Sequence, residues 1–277
     1  MWALDLSQTR KVLAHLGACP NKKLGQNFLI NARFVQTSLE WAQLEPEKVV
    51  IEIGPGCGTL TGALVETGAQ VFAVEKDACF FQYIQESFPV SICNEDAVQF
   101  PIGTFDGTKP YKIVANLPYA IASIWLDRIL EQARLPECMV LLVQKEAANR
   151  WLSKAGTKNF GALSVNLQAA YTLENKCCVG KNCFYPQPKV DSLLIHLVKR
   201  ADAYIFPQSV KLFLRQVFLH RRQQIGRVCN EISSEAAEKF LEFLSQEQIP
   251  RQTRAEEIDL EVWINFSKRF FTLPETF

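Results

Sequence analysis

The segment that decides the fold reads Val50-Ile51-Glu52-Ile53-Gly54-Pro55-Gly56-Cys57-Gly58-Thr59-Leu60-Thr61. A run of β-prone residues enters a turn with three glycines, and a helical pattern follows the turn. Glycine permits the tight backbone of such a turn and lets a ligand approach the main chain closely. The order of strand, glycine turn and helix is therefore typical of the first unit of a nucleotide-binding α/β sheet.

Strands and helices continue to alternate on the C-terminal side of this segment. Strands are predicted at residues 48–53, 70–75, 90–93, 111–115 and 139–143, and helices at 60–67, 78–87 and 121–133. Such alternation predicts a parallel sheet with helices on both faces. The strands are apolar along nearly their whole length, as expected for strands that are buried on both sides.

The pattern changes after residue 160. A helix is predicted over 160–173, a late strand over 191–198, and three further helices over 208–229, 233–246 and 256–271. We therefore predict an α/β protein in which residues 1–205 form the sheet domain and residues 206–277 form a small all-α domain.

Two carboxylates follow the ends of neighbouring predicted strands. Glu75 lies about 20 residues after Gly54, where a doubly wound fold places an acid that binds ribose hydroxyls. Asp96 follows the next strand, where it can accept a hydrogen bond from an adenine amine or cap a helix. Thr59 stands where a dinucleotide site requires its third glycine. The pattern therefore favours S-adenosylmethionine, which has no pyrophosphate, over a dinucleotide.

The fourth strand leads into Asn116-Leu117-Pro118-Tyr119. Because ligands of open parallel sheets bind at the carboxyl ends of the strands, these four residues should lie beside the methyl donor. An amide, a turn carbonyl and an aromatic ring suit a planar base that carries an amino group. An ordinary turn with an N-capping asparagine is the alternative interpretation.

Composition excludes several classes of protein. The 277 residues are 48% hydrophobic and 21% charged, with a net charge of +1. These values argue against a disordered chain and against a strongly basic nucleic-acid binder. No apolar run approaches the roughly 18 residues that cross a bilayer. Residues 1–6 show no secretory pattern, so we expect a cytoplasmic protein without membrane association.

The nine cysteines include no Cys-x-x-Cys pair, and the three histidines are scattered. Zinc sites need closely spaced thiolates or imidazoles, so we predict reduced thiols and no metal. The group Cys177, Cys178 and Cys183 is the one place where a metal or redox role stays open.

Five segments together resemble the ribosomal RNA adenine dimethyltransferase family, in the bacterial small-subunit branch linked to kasugamycin sensitivity. They read LGQNFL at 24–29, EIGPG at 52–56, NLPY at 116–119, QKE at 144–146 and FYPQPKVDS at 184–192. The sequence departs from the family pattern at residues 21–25, where NKKLG replaces a more basic stretch, and at residues 221–226, where one lysine is missing.

The resemblance implies a Rossmann-like methyltransferase that uses S-adenosylmethionine to dimethylate two adjacent adenosines in the hairpin loop near the 3′ end of 16S rRNA. The substrate would be RNA within the small ribosomal subunit, whose biogenesis the enzyme would assist as a monomer. The residues implied to bind the donor are Asn27, Leu29, Gly54, Glu75, Asp96 and Asn116. Those implied to hold the target base are Asn116, Leu117, Pro118, Tyr119 and Phe184, with Phe28 as a further candidate.

A basic segment of the predicted helical domain is the candidate RNA surface. Residues 211–230 contain no acid, and their basic side chains are Lys211, Arg215, Arg221, Arg222 and Arg227. Phosphate contacts dominate the affinity of such surfaces. A solvated helix face would have the same composition, so this alternative stays open.

Three other functions remain. A methylase of large-subunit RNA that confers macrolide resistance would share the donor site and differ in its substrate. A non-catalytic ribosome-assembly factor would have damaged motifs, whereas both motifs are intact here. A nicotinamide oxidoreductase is disfavoured by Thr59 and by the lack of a catalytic Tyr-x-x-x-Lys pair or histidine in a suitable context.

Overall fold

The computed structural model describes residues 2–21 and 24–271. Lys22 and Lys23, which belong to the divergent NKKLG segment, lie outside the described residues. The strands are β1 (Phe28–Leu29), β2 (Val49–Ile53), β3 (Gln70–Val74), β4 (Ser91–Cys93), β5 (Tyr111–Asn116), β6 (Cys138–Gln144), β7 (Tyr171–Val179), β8 (Phe184–Tyr185) and β9 (Ser192–Lys199). The helices are α1 (Leu6–His15), α2 (Ala32–Ala42), α3 (Thr59–Glu66), α4 (Ala78–Ser87), α5 (Ala122–Ile129), α6 (Lys145–Trp151), α7 (Ala162–Ala170), α8 (Gln208–Leu219), α9 (Ile225–Ile232), α10 (Glu235–Gln246) and α11 (Leu260–Phe270).

Seven strands form one sheet in the order β4-β3-β2-β5-β6-β9-β7. Strands β2 to β6 pair in parallel, and β9 pairs antiparallel to β6. All five residues of β2 are buried, which agrees with a central strand covered on both faces. The Rossmann-like α/β fold predicted from the sequence is therefore confirmed.

The strand order reverses at β2, because β3 and β4 lie on one side of it and β5 lies on the other. Ligands of open α/β sheets bind outside the carboxyl ends of the strands at such a reversal. Gly54 follows β2 directly, and Asn116 ends β5. The topology thus brings the two sequence motifs to the same edge of the sheet.

The predicted helix over 208–229 is wrong, because the chain turns between α8 and α9. The N–H groups of Ile225 and Gly226 donate to the carbonyls of Thr253 and Arg251, at 2.8 and 2.9 Å. These long-range bonds replace the hydrogen bonds that would have continued α8. The predicted helix over 160–173 also ends early, and residues from Tyr171 onwards form edge strand β7, which was not predicted.

The chain divides into two compact units whose composition differs from the predicted domains. The first contains Met1–Ala148 and Thr172–Lys199, and the second contains Asn149–Tyr171 and Arg200–Phe277. Residues 149–171, which we expected in the sheet domain, therefore belong to the helical unit. The last change from the first unit to the second falls at Arg200 rather than at residue 206.

The core of the helical unit explains why α7 belongs to it. Val165 and Ala169 of α7 are buried in one cluster with side chains of α8 to α11. At the centre of this cluster, the ring of Phe240 stacks on Trp263 with 4.6 Å between centroids and contacts Phe213 edge-on. An apolar helix face is stable only where it is covered, and here the aromatic cluster covers α7.

Candidate active site

A cleft opens at the carboxyl ends of the parallel strands in the first unit. It holds about 880 Å³ of empty space, including the part that is open to solvent. Its walls are formed by residues 24–28, 53–54, 56, 74–76, 95–97 and 116–121. Of the residues predicted from the sequence, the cleft brings together Asn27, Gly54, Glu75, Asp96, Asn116, Leu117, Pro118 and Tyr119.

The glycine turn lets the main chain line the cleft. Gly54 and Gly56 have φ angles of +68° and +53°, which disfavour residues with a Cβ. A Cβ at Gly56 would lie 2.7 Å from the ring of Phe28, and one at Gly54 would lie 3.2 Å from Cγ of Pro118. Larger residues at either position would therefore displace the neighbouring wall of the cleft.

Glu75 is held by backbone donors and is buried at 7% exposure. The N–H of Gly56 donates to its Oε2 at 3.1 Å, and the N–H of Asp77 donates to its Oε1 at 2.9 Å. Burial raises the pKa of Glu75 to about 7, although these two hydrogen bonds oppose the increase. The carboxylate has a fixed position and can accept further hydrogen bonds from a ligand with hydroxyl groups.

Glu52 is a second buried acid, at 2% exposure, under the glycine turn. Burial raises its pKa to about 8, and the charge of nearby Glu75 adds to the increase. Among the described residues, its Oε2 has no hydrogen-bond partner. Since a buried carboxylate without a partner is costly, Glu52 is mostly protonated at neutral pH.

Asp96 sits at the outer wall of the cleft. Lys76 Nζ lies 2.8 Å from its Oδ2, and the N–H of Val98 donates to its Oδ1 at 2.9 Å. Lys76 and then Val98 lower the pKa of Asp96, so the carboxylate is ionised at neutral pH. No described helix begins at Asp96, so the capping alternative is not realised, and the side chain lines the cleft.

The segment Asn116–Tyr119 is fixed by hydrogen bonds at each residue. The Nδ2–H of Asn116 donates to the carbonyl of Asn27 at 2.9 Å. The N–H of Leu117 donates to Leu142 at 3.0 Å, and the carbonyl of Pro118 accepts from Ile121 at 3.1 Å. The hydroxyl of Tyr119 lies 2.7 Å from that of Ser192. The segment is therefore preorganised, with Oδ1 of Asn116 available as an acceptor.

Residues 24–28 form one wall of the cleft. Of these residues, only Asn27 and Phe28 were predicted to belong to the site. A Cβ at Gly25 would lie 3.3 Å from the backbone nitrogen of Tyr119, so the two segments are in close contact. Gln26 donates from Nε2 to Asp77 at 3.0 Å, which fastens the wall to the loop after β3. Our sequence analysis gave Gln26 no role, although it stands inside the LGQNFL motif.

Leu29 and Phe184 do not line the cleft, contrary to our prediction. They pair in the small β1–β8 sheet, and their side chains are 4% and 3% exposed in an apolar cluster. Successive side chains of a strand point to opposite faces, so Leu29 is buried while Phe28 lines the cleft. Phe28 also contacts Phe80 edge-on, at 5.3 Å between ring centroids.

The predicted RNA residues of the helical unit differ in exposure. Lys211 is only 4% exposed, so we exclude it from the RNA surface. Arg221 lies 3.6 Å from Glu256, and Arg227 lies 2.8 Å from Glu231. Arg222 is exposed, and Arg215 is half-buried. The exposed positions Arg222 and Arg227 are therefore the ones best placed to contact a polyanion.

In residues 2–21 and 24–271, no three His, Cys, Asp or Glu side chains are grouped so that they could share a metal ion. In the same residues, every helix lacks the length or the apolar character of a membrane-spanning segment.

Sequence comparison identifies relatives along nearly the whole chain. The family described as "Ribosomal RNA adenine dimethylase" matches residues 18–271. A protein of Opitutus terrae named "Ribosomal RNA small subunit methyltransferase A" is 44% identical over 268 residues, covering 94% of this chain and 96% of that protein. A protein of the same name from Malacoplasma penetrans is 32% identical, covering 91% of this chain and 93% of that protein.

Structure comparison supports the fold. A dimethyladenosine transferase from Plasmodium falciparum superposes with a TM-score of 0.73 at 22% identity, covering 88% of this chain and 97% of that one. The 23S rRNA methyltransferase ErmE superposes with a TM-score of 0.60 at 22% identity, covering 89% of this chain and all of that one. At this identity, the two likenesses show a shared fold.

Proposed function

The chain belongs to the ribosomal RNA adenine dimethylase family, and from this premise we propose that it dimethylates the exocyclic amines of two adjacent adenosines in the hairpin loop near the 3′ end of 16S rRNA. The methyl donor is S-adenosylmethionine. The observation that carries the proposal is the cleft in which Asn116, Glu75 and the glycine turn meet at the carboxyl ends of adjacent strands.

The residues of the cleft fit the donor. Gly54 and Gly56 let the turn pack closely against Pro118 and Phe28, which a Cβ at either position would displace from the wall of the cleft. Glu75 supplies a fixed acceptor for ribose hydroxyls, and Asp96 supplies one for the adenine amine. Asn27 lines the same cleft as these acids. When bound, the donor supplies an electrophilic methyl group on a positively charged sulfur.

Asn116 and its neighbours would hold the target amine. The amine of adenine is a weak nucleophile because its lone pair is delocalised into the ring. Oδ1 of Asn116 and the carbonyl of Leu117 can accept its two N–H groups, which favours a pyramidal nitrogen with its lone pair directed outward. The face of Tyr119 supports the everted base, and such stacking contributes about 1–3 kcal/mol. Alignment is then the main source of rate acceleration.

The choice of small-subunit RNA rests on the relatives. The protein of Opitutus terrae that carries the small-subunit name is 44% identical to this chain, whereas the 23S rRNA methyltransferase ErmE is 22% identical. We therefore prefer the small subunit over the large subunit as the substrate. We also propose that the protein works in the cytoplasm, where ribosomal subunits mature, and that exposed arginines such as Arg222 contact RNA phosphates.

The direct test is methylation of isolated ribosomal subunits. Small subunits that lack these methyl groups are incubated with radiolabelled S-adenosylmethionine and the protein, and the modified nucleotides are mapped by mass spectrometry. We expect two adjacent dimethylated adenosines in 16S rRNA. Label only in large-subunit RNA would contradict the substrate, and absence of label from both subunits would contradict the activity. An Asn116→Ala variant serves as the negative control.

A further inference from the structure

The segment at 184–192 has no role in the reaction as described so far. Phe184, the residue of this segment that was predicted to hold the target base, is buried outside the cleft. The last residue of the segment, Ser192, begins β9 and is fully buried, at 0% exposure. Its hydroxyl lies 2.7 Å from the hydroxyl of Tyr119. Tyr119 lines the cleft, so Ser192 contacts the site through this one side chain.

Ser192 is itself held rigidly. It pairs with Gln144 in the antiparallel ladder of β6 and β9. The adjacent Asp191 accepts the N–H of Lys145 at its carbonyl and the N–H of Lys181 at its Oδ1, both at 3.1 Å. The hydroxyl of Ser192 therefore has a position set by the main sheet and by the loop before β8.

Tyr119 is anchored at both ends as a result. Its backbone follows Pro118 and lies against Gly25, and its hydroxyl is bound to Ser192. A tyrosine side chain has two rotatable torsions. Fixing the backbone and the hydroxyl position restrains χ1, and the preference of a phenolic O–H for the plane of its ring makes the hydrogen bond to Ser192 favour one ring orientation about χ2. Burial raises the pKa of Tyr119, so the hydroxyl keeps its proton and does not act as a base at neutral pH.

We propose that Ser192 is a positioning residue, whose hydroxyl holds the ring of Tyr119 in the orientation that supports the target base. The inference rests on the proposed function, in which Tyr119 stacks on that base. It gives a role to the small hydroxyl residue at the start of β9, where a buried strand position would otherwise favour an apolar side chain.

A double-mutant cycle tests the inference. The four proteins are the wild type, Ser192→Ala, Tyr119→Phe and the double variant, and Ser192→Thr is the conservative variant that retains a hydroxyl. Ser38→Ala is the matched control, because Ser38 is also buried and donates to the Phe34 carbonyl at 2.7 Å, away from the cleft. The readouts are the methyl-transfer rate at saturating donor and small subunits, the Kd of the donor, and the Tm.

We expect each single variant to lower the saturated rate about 3- to 10-fold, the range of one neutral hydrogen bond, with a donor Kd within about twofold of the wild type. The double variant should be no slower than either single variant, because both changes remove the same interaction. Ser192→Thr should restore most of the rate. The inference would be overturned if the rate losses of the two single variants multiplied in the double variant. It would also be overturned if Ser192→Ala lowered only the Tm, as Ser38→Ala is expected to do.

Fluorine NMR separates this inference from the proposed function. The protein is labelled with meta-fluorotyrosine, and the signal that Tyr119→Phe removes is assigned to Tyr119. We expect one narrow Tyr119 signal in the wild type and a shifted, averaged signal in Ser192→Ala. An unchanged signal would overturn the positioning role. A wild type that methylates no subunit would overturn the proposed function, while the spectra would still show whether Ser192 orients the ring.

Discussion

The side chain of Asn116 donates its Nδ2–H to the backbone carbonyl of Asn27, at 2.9 Å across 89 residues of sequence. One carboxamide therefore joins the end of β5 to the segment that forms the opposite wall of the cleft. Nδ2 is used in holding the two segments together, and in the proposed function Oδ1 accepts a hydrogen bond from the target amine. The same residue thus links the proposed donor site to the proposed base site.

We expect Asn116→Ala to lower the methyl-transfer rate by about 10²- to 10³-fold, the range found when one preorganised hydrogen-bonding group is removed from a reacting centre. Donor binding should survive but weaken about 3- to 10-fold, because the Asn27 segment loses one hydrogen bond. Single-turnover kinetics and calorimetry measure the two effects. Asn175→Ala, a change on the edge strand β7, is the control that should leave both values unchanged. A near-normal rate would contradict the role of Asn116.

Donor affinity should rise with pH because of Glu75. Its pKa of about 7 means that the ionised fraction increases from about one tenth at pH 6 to about nine tenths at pH 8. The carboxylate accepts hydrogen bonds from ribose hydroxyls more strongly than the neutral acid does, so the association constant should increase by up to about tenfold over this interval. Glu75→Gln should bind the donor weakly at both pH values. Calorimetric titrations that show a wild-type affinity independent of pH would exclude this role.

Glu52 should make the fold less stable as the pH rises. Its pKa is raised from 4.5 to about 8, so between these values the unfolded chain releases a proton that the folded chain retains. This difference lowers the free energy of unfolding by up to about 1.4 kcal/mol per pH unit. Thermal unfolding of Glu52→Gln should therefore depend less on pH between 5 and 8. Glu45→Gln, at an exposed position, should behave as the wild type does; equal slopes in all three proteins would refute the prediction.

The indole of Trp2 lies over Gly62, where a Cβ would overlap the ring. Its Nε1–H also donates to the carbonyl of Gly58 at 3.1 Å, at the start of α3. In a helix, alanine is favoured over glycine by about 1 kcal/mol, yet we expect Gly62→Ala to lower the Tm because of this overlap. In a Trp2→Ala background, the same change should raise the Tm. A Tm increase in both backgrounds would show that the contact does not constrain Gly62.

Arg222→Glu should weaken binding of the small subunit and reduce its salt dependence. One lost phosphate contact should decrease the slope of log K against log salt by about 1. Arg222 is a better test than Arg221, because a reversed charge at Arg221 would lie beside Glu256. Lys48→Glu is the control, since Lys48 precedes β2 at the opposite edge of the sheet from the cleft. If Arg222→Glu left the slope of log K against log salt unchanged, the basic segment would be a solvated helix face rather than an RNA surface.

The sequence by itself determined the central sheet and most of the cleft. Strand and helix periods are local, so the parallel strands from 49 to 144 were predicted within one or two residues. The glycine turn and the segment at 116–119 follow strands directly, and parallel strands end at one edge of a sheet. Their meeting in one cleft could therefore be predicted without knowledge of any side-chain contact.

Only the tertiary structure decided which side chains face the cleft and which helices pack together. Leu29 and Phe184 are buried because β1 pairs with β8 in one register, and the helix predicted over 208–229 breaks because residues 251–253 accept its N–H groups. Tyr119 meets Ser192 across 73 residues. The physical reason is that a local pattern specifies the type of an element, whereas partners distant in sequence are chosen by packing of the whole chain.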